Sequence, residues 1–144
     1  MSRGPLRASD LMVRRARDGA LFLRPFEEAF ALKVDARFIK GLELFNEKDF
    51  FECHEVIEDL WLETPSDDPN RDLYKGVIQA AAAIYQWQRE IMSGAHGLHK
   101  TSVKYLKPYE PAALGLNVEK MVKEMNAFFK DFDEKNLPVL EYNY

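Results

Sequence analysis

The sequence predicts an all-α protein, a compact bundle of about five mostly antiparallel helices. Three observations predict it. Apolar residues recur at i, i+3, i+4 and i+7 in several separate stretches, and strand-like alternation is nearly absent. Proline, glycine and asparagine mark the boundaries between those stretches. The intervening connections are short, which favours antiparallel neighbours.

The first strong helix is "VDARFIKGLELFNEKD", where Phe38, Leu42 and Phe45 share a face and the helix ends near Asn46. Asp49 then reads as an N-cap, with Glu52 completing a capping box, and a helix runs from about Phe50 to Glu63. Pro65 and the loop "PSDDPN" end it, because proline disfavours helix in the residue before it. Asn70 is the next cap, for one long helix over "RDLYKGVIQAAAAIYQWQREIMSG", punctuated at Gly94 and Gly97. A further helix, "LHKTSVKYLK", stops at Pro108. After the loop "PYEPAALGL", Asn117 caps a last helix with Val118, Met121, Val122, Met125, Phe128, Phe129 and Phe132 on its apolar face. The apolar end, "LPVLEYNY", is expected to dock as an extended tail. The organisation is an arginine-rich, partly ordered arm over 1–33 and a single helical domain over 34–144.

The 144 residues suit one domain with a real core, at 47% hydrophobic and 31% charged. Residues 1–25 hold Arg3, Arg7, Arg14, Arg15, Arg17 and Arg24 against Asp10 and Asp18, a net of +4, which leaves −8 on the rest of a chain whose formal charge is −4. The acidic body argues against nucleic acid as its partner. The basic start admits a nucleic-acid or anionic-lipid arm, a likeness to a transit peptide, or an arm lying on the acidic body. Cys53 is the single cysteine, so no intrachain disulfide forms, as in a reducing compartment. No apolar run reaches the roughly 20 residues of a membrane span, and a cytoplasmic location is expected.

The stretch "FFECHEVIEDLW" carries the site hypothesis. On a helical wheel at about 100° per residue, Glu52, Glu55, Asp59 and Glu63 make a solvated face with Glu55 at its border. Glu58 instead falls within the apolar arc, one turn from His54 and beside Trp61. A buried carboxylate must be paired, hydrogen-bonded, protonated or metal-bound. Three readings follow: a buried structural polar pair of His54 and Glu58, a divalent metal site with these two as ligands, or a general acid/base pair in a cleft. A metal would need a third ligand from Glu55, Gln79, His96, His99 or water. The spacing departs from the His-Glu-x-x-His of zinc proteases. By periodicity Gln79 lies with Asp72, Lys75, Gln86 and Glu90 on a solvated face. His96 and His99 read as surface residues, and Tyr74, Tyr85 and Trp87 as core or dimer-interface aromatics.

"LFNEKDFFECHEVIEDLW", followed by "YKGVIQAAAAIYQ" and "SGAHGLHK", resembles the prokaryotic domain of unknown function 309 family over roughly Phe38 to Leu106. The family's His-x-x-x-Glu-x-x-Trp/Tyr pattern is matched by His54, Glu58 and Trp61, its Gly-x-x-Gln by Gly76 and Gln79, and its Phe-Asn-x-x-x-Phe by Phe45, Asn46 and Phe50. It also favours glutamate after the histidine, here Glu55. The resemblance implies an all-helical fold and a metal-binding or otherwise functional motif, and no established activity. It also implies that Gln79 approaches Glu58 from the next helix, against the periodicity, with Gly76 and Ala83 permitting close approach. Two functions are therefore carried forward. One is a metal-assisted, hydrolase-like enzyme using His54, Glu58 and Glu55, with Gln79 and Trp61 toward the substrate. The other is a non-enzymatic helical interaction module, a homodimer, in which His54 and Glu58 are structural.

Overall fold

The computed structural model describes residues 34–144; the arm expected over 1–33 lies outside the described residues. Helix α1 (Ala36–Asn46) starts at Asp35, whose carboxylate accepts from the Arg37 N–H and caps the first turn. Arg37 also reaches Glu63 at 3.1 Å, tying the start of α1 to the end of α2 (Phe50–Glu63). Further along, a β-carbon on Gly41 would collide with Ile57 of α2. The contacts run in opposite directions along the two helices, so they are antiparallel.

The same logic orders the rest. Phe51 of α2 packs on Tyr85 of α3 (Arg71–Gln88), and Trp61 packs under Arg71 and Lys75. Gly76 of α3 meets Leu106 of α4 (Met92–Leu106), where an added β-carbon would lie 2.6 Å from Leu106 Cδ2. Ser102, fully buried on α4, donates to the Gly76 carbonyl at 2.8 Å. His99 of α4 contacts Asn126 and Phe129 of α5 (Val118–Asp131), and His96 contacts Phe129 and Phe132. Among the described residues, five helices thus follow one another as antiparallel neighbours, an all-α bundle as expected. One core runs through it, with Phe38, Leu42, Phe45, Phe50, Ile57, Leu73, Ile84, Leu106, Met121 and Phe128 fully buried.

Several local expectations need correction. Asp49 stands at the N-cap of α2, but its side chain makes no capping bond, so the capping box with Glu52 does not form. Asn70 likewise precedes α3 without a side-chain cap. The long helix from Arg71 ends at Gln88, before Gly94 and Gly97, which both lie inside α4. The break is made by Glu90, in the left-handed region at φ 63°, with Ile91 N–H donating to the Gln86 carbonyl and Glu90 N–H to that of Trp87. Lys48 at φ 67° closes α1 with the same bonding. Both are helix-ending turns that ordinarily use glycine, so composition gave no warning of the one at Glu90.

Asn117 does cap α5, accepting from the Lys120 N–H at 2.9 Å. The preceding loop forms a short 3-10 turn (Lys107–Tyr109) and a two-residue hairpin, β1 (Ala112–Ala113) with β2 (Leu116–Asn117). The C-terminal tail docks as expected, burying Leu137 and Leu140. Asn46 holds it: its amide donates to the Leu140 carbonyl at 2.9 Å and accepts from the Leu140 N–H at 2.7 Å.

Candidate functional site

Helix α2 presents His54, Glu55 and Glu58 on one turn. Each offers one ligand atom, and these atoms all lie within 4.8 Å of one another. His54 Nδ1 is 3.1 Å from Glu55 Oε2, and Nε2 is 3.6 Å from Glu58 Oε1, the latter too long for a hydrogen bond. The ring is steadied by Phe51, which lies nearly parallel to it at 6.3 Å.

Burial corrects the wheel. The side chains of His54, Glu58 and Glu55 are 28%, 38% and 50% exposed, so they border solvent and are not a buried pair. The apolar arc of α2 that enters the core is Phe50, Cys53, Ile57 and Leu60. His54 and Glu58 sit at its edge, where α2 meets α3. Cys53 is part of the core, and burial, with the charge of Asp49, pushes its thiol up to about 12, so it is no nucleophile.

Helix α3 supplies the other wall, and here periodicity misled. Lys75, Gln79 and Gln86 are all half-buried and not on a solvated face: Lys75 lies against Trp61 of α2, and Gln86 beside Gly94 of α4. Phe51 against Tyr85 and Trp61 against Lys75 fix the register. Counting between those contacts puts Gln79 level with residue 57, on the stretch of seam that carries His54 and Glu58. Gln79 Oε1 is buried without a hydrogen-bond partner among the described residues, as are Trp61 Nε1 and Gln86 Oε1. Gly76, in contrast, serves the approach of α4, not of α2.

Trp61 lies beside the cluster, one turn beyond Glu58, with Lys75 Nζ and Arg71 Cζ at 4.1 and 4.2 Å from its ring centroid. Sequence reasoning had put Lys75 on a solvated face and left Arg71 unassigned. The register of the tryptophan opposite them was the signal that could have found them. His96 and His99 belong elsewhere. His96 is exposed, while His99 is half-buried, stacked on Phe129 at 4.3 Å and bonded to Asn126 at 2.8 Å. Neither joins the cluster on α2. Tyr74 is buried, and Tyr85 and Trp87 pack on the core.

The class defined is a small antiparallel helical bundle with a histidine–carboxylate cluster at the seam of two helices. Residues 38–98 match the model of the family described as Domain of unknown function (DUF309). The matched stretch holds both the His54–Glu58–Trp61 pattern and Gly76–Gln79. The chain is also 31% identical, over 94 residues, to "Uncharacterized protein YpuF" of Bacillus subtilis (strain 168). The alignment covers 64% of this chain and 53% of that protein, so the chain spans about half the length of the curated relative it matches.

Proposed function

We propose that His54, Glu55 and Glu58 form a divalent-cation site, walled by Gln79, that supports metal-assisted chemistry on a polar substrate. The observation that carries this reading is the convergence of one imidazole and two carboxylate donors within 4.8 Å. An imidazole with carboxylates suits zinc or manganese. Partial exposure makes the site reachable and spares it the desolvation cost of a buried charge. Three donors from a single turn leave positions for water and substrate, as in catalytic rather than structural sites. A bound cation would acidify a water or polarise a substrate oxygen. The chain's own part is to hold the imidazole against Phe51 and Glu55 and to offer the Gln79 amide from the facing helix.

One observation favours a second reading, a non-enzymatic module that docks a second copy through α2. Phe51 and Leu62 are 44% and 65% exposed, and with Glu55 and Glu58 they form an i, i+4, i+7, i+11 stripe. Sedimentation of the full chain decides between them: a dimer that Leu62→Glu dissociates supports the module.

The cation reading is tested by elemental analysis of protein purified without an affinity tag, then by calorimetric titration with zinc and manganese. About one ion per chain is expected, with binding abolished by His54→Ala and weakened on acidification, because protons compete for the imidazole and carboxylates. Absence of heat above buffer, or uptake unchanged by His54→Ala, removes it.

A further inference from the structure

The seam beyond Glu58 carries donors that are not fully used among the described residues. The Trp61 Nε1–H is buried without a partner among them, and an indole nitrogen can only donate. Lys75 and Arg71 both lie against the same indole, and neither forms an ion pair with any described residue, although acidic Asp59 and Glu58 stand on the facing helix. Arg71 spends one N–H on the Thr64 carbonyl at 3.2 Å, while among the described residues the Lys75 ammonium rests on the ring face alone. A cation held over an aromatic face gives up part of its hydration without gaining a charged acceptor. Gln79, one turn from Lys75 on the same stripe, adds a buried amide oxygen without a partner among the described residues, and a half-turn of that amide presents its NH₂ instead. Along the seam the order is therefore carboxylates and imidazole first, then an amide, then an ammonium and an indole N–H.

We propose that Lys75, with Trp61 Nε1, is an oxyanion-binding site adjoining the cation cluster, so that the ligand of this protein is a small molecule bearing a phosphate or carboxylate group. The inference rests on the cation reading: one end of the oxyanion faces the ion at His54 and Glu58, and the other faces Lys75. A single ammonium on a flexible stem recognises such a group as a point charge, without the fixed fork of an arginine. The ligand's negative charge is balanced jointly by the metal and by Lys75. The acidic body would otherwise repel it.

The probes are phenyl phosphate and benzoate, titrated calorimetrically into the full chain with and without saturating manganese; manganese uptake is measured separately from the paramagnetic resonance of the free ion. Binding of one or both probes to the manganese-loaded protein is expected, and the stronger of the two identifies the group. Lys75→Met keeps the methylene stem over Trp61. It should weaken the probe at least about tenfold, the loss of one charge-assisted hydrogen bond, with manganese affinity unchanged within about twofold. Lys75→Arg should restore most of it. Manganese uptake with no binding of either probe, or equal binding by Lys75→Met, overturns the inference and leaves the cation reading standing. Probe binding that Lys75→Met abolishes, in a chain that takes up no manganese, supports the Lys75 site and removes the cation reading instead.

Discussion

Helix α3 has two seams, and they are built differently. Toward α4 it offers Gly76 and alanines, and the one buried hydroxyl there, on Ser102, is satisfied by the Gly76 carbonyl at 2.8 Å. Toward α2 it offers Lys75 and Gln79, and there Gln79 Oε1 and Trp61 Nε1 are buried without partners among the described residues; Gln86, whose oxygen is also unpartnered among them, lies beside Gly94 at the start of α4. A closed, satisfied seam contributes stability. A seam with stranded polar atoms loses some, since each forfeits hydrogen bonds it had in water. The difference teaches which face of α3 holds the bundle together and which is spared for the proposed ligand. It also makes the comparison breakable: substitutions on the α4 side should act on stability, and those on the α2 side on binding.

The largest effect is expected at Gly76. Valine there drives a β-carbon and two methyls into Leu106 and Tyr105 and presses on the Ser102 bond. Overpacking of this kind costs about 1–3 kcal/mol, and the upper end is expected because α3 cannot retreat from α4 without opening the core. Urea denaturation should show the lower midpoint; an unchanged midpoint would mean that the two helices are not clamped there.

On the other seam Glu58→Ala should cost no more than about 1 kcal/mol, the range of exposed ion pairs. Its carboxylate is 38% exposed and stands 3.6 Å from His54. The loss should fall on cation uptake instead. Gln79→Met should leave the melting temperature unchanged or raise it, because it removes a stranded oxygen at similar volume. A drop of several degrees in either variant would place these residues in the structural class and erase the contrast between the seams.

A smaller effect concerns His99, on α4 away from both seams. Burial against α5 lowers its pKa below the ordinary histidine value, Asn126 opposes that through its hydrogen bond, and His96 adds to it. A histidine depressed in the fold is protonated first in the unfolded chain. Stability is therefore lost as pH falls through the unfolded value toward the folded one. Urea midpoints at pH 7.5 and 5.5 should drop on the acid side, and His99→Gln should make that drop shallower. A drop of the same size in His99→Gln would mean that other groups carry it. The smallest effect is at Glu90, held at φ 63°. Glycine there relieves a left-handed strain of about 1 kcal/mol, offset in part by its greater freedom when unfolded.

Much of the bundle was legible because amphipathic periodicity reports directly on which face is buried. Phe38, Leu42 and Phe45 mark α1, and the end of α2 at Glu63 follows from Pro65; its start at Phe50 was placed correctly, though Asp49 makes no side-chain cap there. The cluster was legible in part, through His54 and Glu58 at i, i+4. Its exposure was not, because a wheel gives direction and not depth. The inward turn of Lys75 and Gln79 was hidden for another reason: a polar stripe looks the same whether it faces water or the seam with another helix. The break at Glu90 was hidden because its left-handed residue is not glycine, and the tail's anchor at Asn46 depends on a partner 94 residues away.

The central claim is that the turn of α2 bearing His54, Glu55 and Glu58 binds a divalent cation in the folded protein. A thermal melt with and without manganese tests it most directly, since an ion that binds only the folded chain raises its stability by RT ln(1 + [L]/Kd). At a hundredfold excess over Kd the gain is about 2.7 kcal/mol, a rise of roughly 5–15 °C for a domain of this size. The account predicts that rise in the wild type and none in His54→Ala, whose melt without metal should match the wild type closely. No rise in the wild type, or an equal rise in His54→Ala, would contradict it.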